Sequence, residues 1–270
     1  MKATARSDQA AFHAIVKRLK NDIMKKLQNK VALVTGGNSG IGYATAADLV
    51  ANGAAVIITG RRAAAVQKAA DELGATGIVA DQSQLADINR LYERVKAQFG
   101  RLDILFINAG ITGTQGRIEQ ASEANFNQVM DVNFKGAYFT LSTFIPLLND
   151  GASVVILSSI VAGMHRAGSS IYQASKAALN SVAKTAAVEL AERGIRVNIV
   201  SPGPHKTEIM KKAGLDETTL RQLDAELIQQ IPLRKMGEAR DVAQLVRYFS
   251  EESASFITGT EVVVDGGLTL

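Results

Sequence analysis

Seven short apolar runs recur along the chain, and segments with apolar residues at helical spacing separate them. The runs are KVALVTG, AAVIITG, TGIVAD, LDILFINAG, ASVVILSS, IRVNIVSPG and TEVVVDGG. Near-continuous apolar runs of this length are typical of strands that are covered on both faces. Intervening segments such as GYATAADLVANG and LADINRLYERVKAQFG predict helices. The alternation predicts an α/β protein with a single-domain, Rossmann-type, doubly wound fold, in which a seven-stranded parallel sheet carries helices on both faces.

The positive charge of the chain is concentrated at its beginning. Residues 1–30 hold eight of the 30 Lys and Arg residues and two of the 26 Asp and Glu residues, so residues 31–270 are slightly acidic. We therefore expect no nucleic-acid partner for the folded body. Residues 1–23 are expected to form a basic extension, disordered or helical, ahead of one domain over residues 24–270. A dispensable extension and a membrane or targeting role both stay open for it.

Composition and missing motifs exclude several classes of protein. The chain has no cysteine, which excludes disulfides and thiol catalysis. No apolar run approaches the ~20 residues that span a bilayer, so we expect a cytoplasmic location and no membrane partner. The histidines His13, His165 and His205 are scattered, and no metal is expected because they lack ligand spacing. Serine hydrolysis has no support either, because the G-x-S-x-G elbow is absent.

A glycine-rich turn follows the first predicted strand and precedes the first predicted helix. It reads TGGNSGIG, from Thr35 to Gly42. Gly36, Gly40 and Gly42 would let the backbone approach a pyrophosphate, and the helix amino terminus would supply free N–H groups and a positive dipole. The position of this turn predicts a dinucleotide-binding site.

The end of the second predicted strand indicates which dinucleotide. Many enzymes that bind NAD place an acidic residue there, but this chain reads ITGRR, with Gly60, Arg61 and Arg62. Two guanidinium groups can hold a 2′-phosphate, and no carboxylate is present to repel it. The segment therefore favours NADP(H) and leaves NAD(H) possible. The alternative is that both arginines are solvated charges at a helix start.

Five motifs in order resemble those of the short-chain dehydrogenase/reductase family, in the subgroup with TGxxxGxG and YxxxK motifs. They are TGGNSGIG, INAG (Ile107–Gly110), VNFKG (Val132–Gly136), Y-x-x-x-K from Tyr172 to Lys176, and SPG (Ser201–Gly203). The resemblance runs from about Lys25 to Leu270. It implies a nicotinamide-dependent enzyme that acts on CH–OH and C=O groups, small-molecule substrates and a homotetramer built partly on the VNFKG and YQASK helices.

Reduction of a ketone needs a hydride at carbon and a proton at oxygen, and the protein must supply the proton. Tyr172 is the candidate acid and base. A tyrosine has an ordinary pKa near ~10, so activity near neutrality calls for a lower value. Lys176 lies on the same helical face, and its ammonium group is expected to lower the pKa of Tyr172. In the family resembled, this lysine also holds the nicotinamide ribose.

The resemblance also selects the serine and the asparagine that act with Tyr172. The family takes its serine thirteen residues before the tyrosine, which reaches Ser159 and leaves Ser169, Ser170 and Ser175 to serve the helix. Ser159 would stabilise developing charge on the substrate oxygen. Asn133, within the VNFKG motif, would position a water that links Lys176 to solvent. The implied catalytic residues are Asn133, Ser159, Tyr172 and Lys176.

Further cofactor contacts follow from the same resemblance. The implied residues are Asn38, Ser39 and Ile41 in the glycine-rich turn, Asp81, Asn108, Ala109 and Gly110 after the third and fourth strands, and Pro202, Gly203, His205 and Thr207 near the nicotinamide. Tyr172 and Lys176 would contact the cofactor as well. His205 departs from the usual small aliphatic residue, and it would add a polar, titratable group near the site.

The sequence favours an NADP(H)-dependent ketone reductase that interconverts a ketone and a secondary alcohol. An acyl-carrier-protein 3-oxoacyl reductase and a sugar or steroid dehydrogenase stay open as alternatives, and so does a non-catalytic dinucleotide sensor or scaffold. The long connection at about residues 203–240 is expected to form a substrate loop or lid. Ile111, Thr112, Met164 and His165, with Met210 and Leu215 in the lid, suggest a partly apolar pocket.

Overall fold

The computed structural model describes residues 26–206 and 217–270. The strands in this part of the chain are β1 (Val31–Val34), β2 (Ala55–Gly60), β3 (Thr76–Val79), β4 (Leu102–Ile107), β5 (Leu148–Leu157), β6 (Arg196–Pro202), β7 (His205–Lys206), β8 (Gly237–Glu238) and β9 (Glu261–Val264). Seven of them form one sheet in the order β3-β2-β1-β4-β5-β6-β9. Every neighbouring pair is parallel. The seven-stranded parallel sheet expected from the apolar runs is confirmed.

Helices connect the strands. They are α1 (Gly40–Ala51), α2 (Ala63–Leu73), α3 (Leu85–Phe99), α4 (Glu123–Met130), α5 (Gly136–Phe144), α6 (Ser170–Glu189), α7 (Glu217–Gln230) and α8 (Ala239–Ser250). Gly74 and Gly100 end α2 and α3 in the left-handed conformation, which glycine adopts at little cost. None of the helices in the described ranges is long and apolar enough to cross a membrane.

Two hydrophobic cores cover the two faces of the sheet. Alternate side chains of a strand point to opposite faces, so Leu33 joins one core while Ala32 and Val34 join the other. The first core contains residues of α3, α5 and α6, and the second contains residues of α1, α2 and α8. Both faces of the central strands are therefore buried, which explains their near-continuous apolar sequences.

Two local features differ from the regular pattern. The residues Asp131–Lys135 form a π-helical turn between α4 and α5, within the stretch where the sequence predicts a helix. The strands β7 and β8 form a separate two-stranded parallel ladder, which the sequence does not predict. The ladder brackets the expected substrate loop, because His205 pairs with Gly237 across it.

Some expectations fall on residues outside the described ranges. They concern the basic extension at residues 1–23 and the positions of Thr207, Met210 and Leu215.

Candidate active site

The strand order places a crevice between β1 and β4. From β1 the chain builds the sheet outward through β2 to β3, and it then returns to add β4, β5, β6 and β9 on the other side. Ligands of open α/β sheets bind at such a reversal, outside the carboxyl ends of the strands. The glycine-rich turn follows β1 and the INAG motif follows β4, so the fold brings both motifs to this crevice.

The glycine-rich turn has a backbone that other residues adopt with difficulty. Gly36 and Gly40 have φ angles of +63° and +55°. A Cβ atom on Gly42 would overlap the carbonyl oxygen of Gly36, so the start of α1 packs closely on the turn. Ser39 stands at the amino-terminal cap of α1, but its side chain makes no capping hydrogen bond. The first backbone N–H groups of α1 therefore have no side-chain cap and are free to bind an anion.

Asn108 and Thr35 tie the turn to the end of β4. The side-chain amide of Asn108 donates to the carbonyl oxygens of Thr35 and Gly36 at 2.8 Å and 3.2 Å. In return, the hydroxyl of Thr35 accepts from the backbone N–H groups of Asn108 and Ala109, both at 3.0 Å. Sequence reasoning named Asn108 and Ala109 but missed Thr35. Its place as the first residue of TGGNSGIG was the available signal.

The carboxyl end of β2 presents two unpaired cations to solvent. Arg61 and Arg62 are exposed, and neither forms an ion pair with a carboxylate in the described parts of the chain. The first turn of α2 contains no acidic residue. Gly60 lies beneath the side chain of Asn38, since a Cβ there would overlap the Asn38 amide oxygen. Asn38, Arg61 and Arg62 therefore surround the end of β2 with hydrogen-bond donors and positive charge.

Asp81 and Gln82 follow β3. The carboxylate of Asp81 accepts from the backbone N–H and the hydroxyl of Ser83 at 2.9 Å and 2.8 Å, which fixes its orientation. Gln82 was missed by sequence reasoning. Its buried amide donates to the carbonyl oxygens of Ala109 and Val132 at 3.2 Å and 3.0 Å, so it joins the end of β4 to the π-helical turn.

Tyr172 lies in the first turn of α6, and its phenol faces Ser159. Burial raises the pKa of Tyr172, and the nearby Ser159 hydroxyl acts in the opposite direction because it can donate to the phenolate. Ser159 comes directly after β5, where it caps a short 3₁₀ turn by accepting from the N–H of Val161 at 3.4 Å. The structure thus brings together the tyrosine and the serine that are thirteen residues apart.

Lys176 lies one helical turn after Tyr172 and is almost fully buried, with 3% of its surface exposed. Its ammonium group donates to the carbonyl oxygen of Leu157 at 2.7 Å and stands 6.0 Å from the centre of the Tyr172 ring. Burial lowers the pKa of Lys176 from its ordinary 10.5 to about 8. The expectation that Lys176 lowers the pKa of Tyr172 is therefore not met. Burial is the largest influence on both groups, and it raises the pKa of the phenol and lowers the pKa of the ammonium group.

Asn133 lies in the π-helical turn and is fully buried. Its side-chain oxygen accepts from the N–H of Ile111 at 2.8 Å, and its amide donates to the Ile111 carbonyl at 2.8 Å and to the Ser175 hydroxyl at 3.1 Å. A Cβ on Gly110 would lie 3.3 Å from the Asn133 oxygen and 3.4 Å from the Lys176 nitrogen. Asn133 and Lys176 are therefore neighbours across Gly110.

The remaining serines separate into different roles. Ser158 turns away from Ser159 into the protein, where it is buried and its hydroxyl lies 3.5 Å from the Lys176 carbonyl. Ser175 donates to the Tyr172 carbonyl at 2.7 Å, within the helix as expected. Ser169 differs from the expectation. It stands at the cap of α6, but its side chain makes no capping hydrogen bond, because its backbone is not in the extended conformation of most caps.

The segment after β6 lies beside the carboxyl terminus. A Cβ on Gly203 would come 2.5 Å from the Cβ of Asp265, so Gly203 permits close contact with the segment after β9. The ring of His205 is buried against Gly237, and its Nδ1 lies 2.9 Å from the Gly203 carbonyl oxygen. The His205 side chain, which was expected as a polar group at the site, therefore packs on β8, because His205 pairs with Gly237 in the β7–β8 ladder.

No group of three His, Cys, Asp or Glu residues that could hold a metal ion occurs in residues 26–206 and 217–270. The site is a set of backbone N–H groups, neutral polar side chains and cations, with the carboxylate of Asp81 after β3.

Comparisons with known proteins agree with this geometry. A family model described as "Enoyl-(Acyl carrier protein) reductase" matches residues 36–269. "Oxidoreductase asL5" of Sarocladium schorii is 36% identical over 249 residues, which cover 91% of this chain and 98% of that protein. Human "Dehydrogenase/reductase SDR family member 4" is 36% identical over 248 residues, 89% of this chain and 88% of the relative.

A solved structure supports the same assignment. A mutant of a Serratia marcescens short-chain dehydrogenase/reductase superposes with a TM-score of 0.83 and 30% identity, over 91% of this chain and all of that one. The likeness extends from the glycine-rich turn to the last strand, and it includes the segments that carry Asn133, Ser159, Tyr172 and Lys176. The chain therefore belongs to the short-chain dehydrogenase/reductase family of nicotinamide-dependent oxidoreductases.

Proposed function

We propose that the chain is an NADP(H)-dependent ketone reductase, which interconverts a ketone and a secondary alcohol with Tyr172 as general acid and base. One observation carries this proposal: the fold places the Ser159 hydroxyl near the phenol of Tyr172 and buries the ammonium of Lys176 one helical turn away. A sensor or scaffold has no need for a buried lysine in this arrangement, since burying an ammonium costs free energy.

The proton chemistry follows from the two pKa directions. Burial raises the pKa of Tyr172, so the phenol keeps its proton at neutral pH and can donate it to a carbonyl oxygen. When the proton leaves, the Ser159 hydroxyl stabilises the phenolate and the developing negative charge nearby. Bound NADPH supplies the hydride. Lys176, with a pKa of about 8, can return a proton to Tyr172, and Asn133 would position a water that connects Lys176 to solvent.

The cofactor would lie along the crevice between β1 and β4. We assign its pyrophosphate to the uncapped start of α1, at Gly36, Ser39, Gly40, Ile41 and Gly42. The remaining assigned contacts are Asn38, Arg61 and Arg62 at the 2′-phosphate, Asp81 at the adenine, Asn108, Ala109 and Gly110 along the crevice, Tyr172 and Lys176 at the nicotinamide ribose, and Pro202, Gly203, His205 and Thr207 near the nicotinamide. The exposed, unpaired state of Arg61 and Arg62 supports NADP(H) over NAD(H).

The same proposal includes the organisation of the protein. We assign the catalytic domain to residues 24–270, its substrate loop to about residues 203–240, and residues 1–23 to a basic extension. We also assign the protein to the cytoplasm. A homotetramer is supported by the exposed aromatic side chains of α5, where Tyr138 and Phe139 keep 44% and 39% of their surface accessible.

A panel of ketones, assayed with NADPH and with NADH, tests the proposal. We expect NADPH-dependent turnover of at least one ketone, with kcat/KM for NADPH about 10-fold or more above that for NADH. Arg61→Ala should narrow this ratio, and Lys68→Ala, an exposed cation on α2, is the matched control. Tight NADPH binding without reduction of any ketone would favour a sensor. Equal use of NADH would contradict the roles of Arg61 and Arg62.

A further inference from the structure

A cavity opens beside Tyr172. Two loops form its walls, one at residues 112–125 after β4 and the other at residues 168–172, which includes the start of α6. The N–H of Gly116 donates to the carbonyl oxygen of Gly168 at 2.9 Å, so the two loops are joined directly. A molecule whose carbonyl oxygen reached the Tyr172 phenol could extend a substituent into this cavity.

The lining of the cavity is rich in neutral polar groups. It contains five Ser and Thr hydroxyls and three Asn and Gln amides, and none of the lining residues within the described ranges is charged. Of the residues expected to form a partly apolar pocket, Thr112 lines the cavity, whereas Ile111, Met164 and His165 do not. His165 is exposed to solvent, and Met210 and Leu215 lie outside the described residues.

Ser169 lines the cavity and stands at the amino-terminal cap of α6. It is buried, with 7% of its surface exposed, although its hydroxyl makes no capping bond to α6. Ser122, also at the cavity wall, does cap its helix, because its hydroxyl accepts from the N–H of Asn125 at 3.2 Å. The Ser169 hydroxyl is therefore available to hydrogen-bond a ligand in the cavity.

The cavity wall opposite Ser169 is held in place. The Asn125 side chain accepts from the N–H of Thr114 at 2.8 Å and donates to the Thr114 carbonyl at 3.0 Å. These two bonds fix the loop after β4 at the cavity. The polar groups of the wall are therefore preorganised and need not rearrange to meet a ligand.

We propose that this cavity selects ketones that carry neutral hydroxyl groups on the substituent next to the carbonyl, with Ser169 as a specificity-determining residue. The inference rests on the proposed ketone reductase activity and deepens it. A site built to hydrogen-bond a substrate hydroxyl disfavours an analogue that lacks it, because buried polar groups are then left unpaired. Phosphate and carboxylate groups find no cationic partner among the lining residues that the structure describes.

Two ketones of matched size test the inference with NADPH: 1,3,4-trihydroxybutan-2-one and 4-methylhexan-3-one, which have equal numbers of non-hydrogen atoms. We expect kcat/KM to be at least about 10-fold higher for the hydroxylated ketone. Ser169→Ala should lower that value about 3- to 10-fold and leave the value for 4-methylhexan-3-one unchanged, since one neutral hydrogen bond is lost. Ser181→Ala, an exposed serine on the same helix, is the matched control and should change neither value.

The outcomes separate the two proposals. Reduction of both ketones with similar kcat/KM, or preference for 4-methylhexan-3-one, would overturn the specificity inference and leave the ketone reductase proposal standing. An equal effect of Ser169→Ala on both ketones would also overturn it. If NADPH bound and neither these ketones nor the wider panel were reduced, the ketone reductase proposal itself would fail.

Discussion

The sheet has an amino edge, where its parallel strands begin, and a carboxyl edge, where they end. Charged side chains are buried in opposite ways at these two edges. At the amino edge, the carboxylate of Glu251 is 3% exposed and accepts from Lys26 at 2.6 Å and also from Arg247. At the carboxyl edge, Lys176 is equally buried, but its ammonium group donates to the neutral carbonyl oxygen of Leu157. No ion pair of Lys176 occurs in the described residues, and burial lowers its pKa to about 8.

This difference separates a structural from a functional use of charge. The buried carboxylate of Glu251 pairs with two cations and ties distant segments together, here Lys26 near the start of the described residues and Arg247 in α8. A buried ammonium without a carboxylate partner is destabilised, and it gives up its proton more readily. Such uncompensated groups concentrate where proteins carry out chemistry.

The largest expected effect falls on the carboxyl edge. Tyr172→Phe removes the proposed proton donor and keeps the ring, so we expect kcat for ketone reduction to fall about 10²- to 10⁴-fold. The dissociation constant for NADPH, measured by fluorescence titration, should change little. Tyr138→Phe, an exposed tyrosine on α5, should retain its activity. If Tyr172→Phe kept most of its turnover, Tyr172 would not be the donor.

At the amino edge we expect a loss of stability without a loss of activity. Glu251→Gln removes the carboxylate that Lys26 and Arg247 share, while Arg247 keeps its ion pair with Asp48 at 2.9 Å, so the free energy of unfolding should fall by about 2 kcal/mol. Denaturant titration measures this change, and kcat should stay within about 2-fold of the wild-type value. Glu252→Gln, the exposed neighbour, serves as the control. If Glu252→Gln lowered the free energy of unfolding as much as Glu251→Gln does, the stabilising role of the buried Glu251 ion pairs would be contradicted.

Lys176→Met should change stability in the opposite direction. At pH 7 Lys176 carries a buried positive charge, which lowers the free energy of unfolding because burial disfavours the charged form. An apolar side chain of similar length avoids this loss of stability. After allowing for the lost bond to Leu157, we expect the free energy of unfolding to rise by about 2 kcal/mol while ketone reduction is largely lost. Lys184→Met, on the exposed side of α6, should show neither change.

The pH dependence of that gain has a defined sign. The folded-state pKa of Lys176 lies below its ordinary value, so between about pH 8 and 10.5 the unfolded chain holds the proton that the folded protein has released. The contribution of Lys176 to wild-type stability therefore improves as pH rises through this window, and the advantage of Lys176→Met shrinks. A constant advantage from pH 7 to pH 10.5 would contradict the assigned pKa shift.

The smallest effect distinguishes two serines at helix starts. Ser122→Ala removes a capping bond to the N–H of Asn125 and should lower the free energy of unfolding by about 1 kcal/mol. Ser169→Ala removes no capping bond and should cost less than about 0.5 kcal/mol. Thermal and denaturant unfolding of both variants measure the difference. Equal losses would mean that the Ser169 hydroxyl supports the fold rather than the cavity.

Much of the fold could be predicted from the sequence, because strands that are buried on both faces have near-continuous apolar sequences. The apolar runs predicted the seven strands, and their alternation with helical patterns predicted the parallel sheet. The two-residue strands β7 and β8 were not predicted, because a strand of two residues has no detectable hydrophobic periodicity. The π-helical turn at Asn133 escaped for a similar reason, since its residues fit an ordinary helix.

The candidate site was predictable where a motif names the residue and less so where geometry decides. The thirteen-residue spacing between Ser159 and Tyr172 identified two side chains that the structure brings close together. The roles of Thr35 and Gln82 in linking strand ends depend on contacts between segments distant in sequence. The polar cavity was missed for the same reason, because its walls come from two loops that meet only in the folded protein.

The central claim, an uncompensated buried ammonium beside Tyr172, can be measured directly. Protein carrying ¹³C-labelled lysine would be titrated by NMR, following the side-chain resonances next to each amine. We predict one lysine that titrates near pH 8 and whose signal is absent from Lys176→Met. If every lysine of the wild-type protein titrated at its ordinary value near 10.5, the contrast between the two edges of the sheet would be wrong.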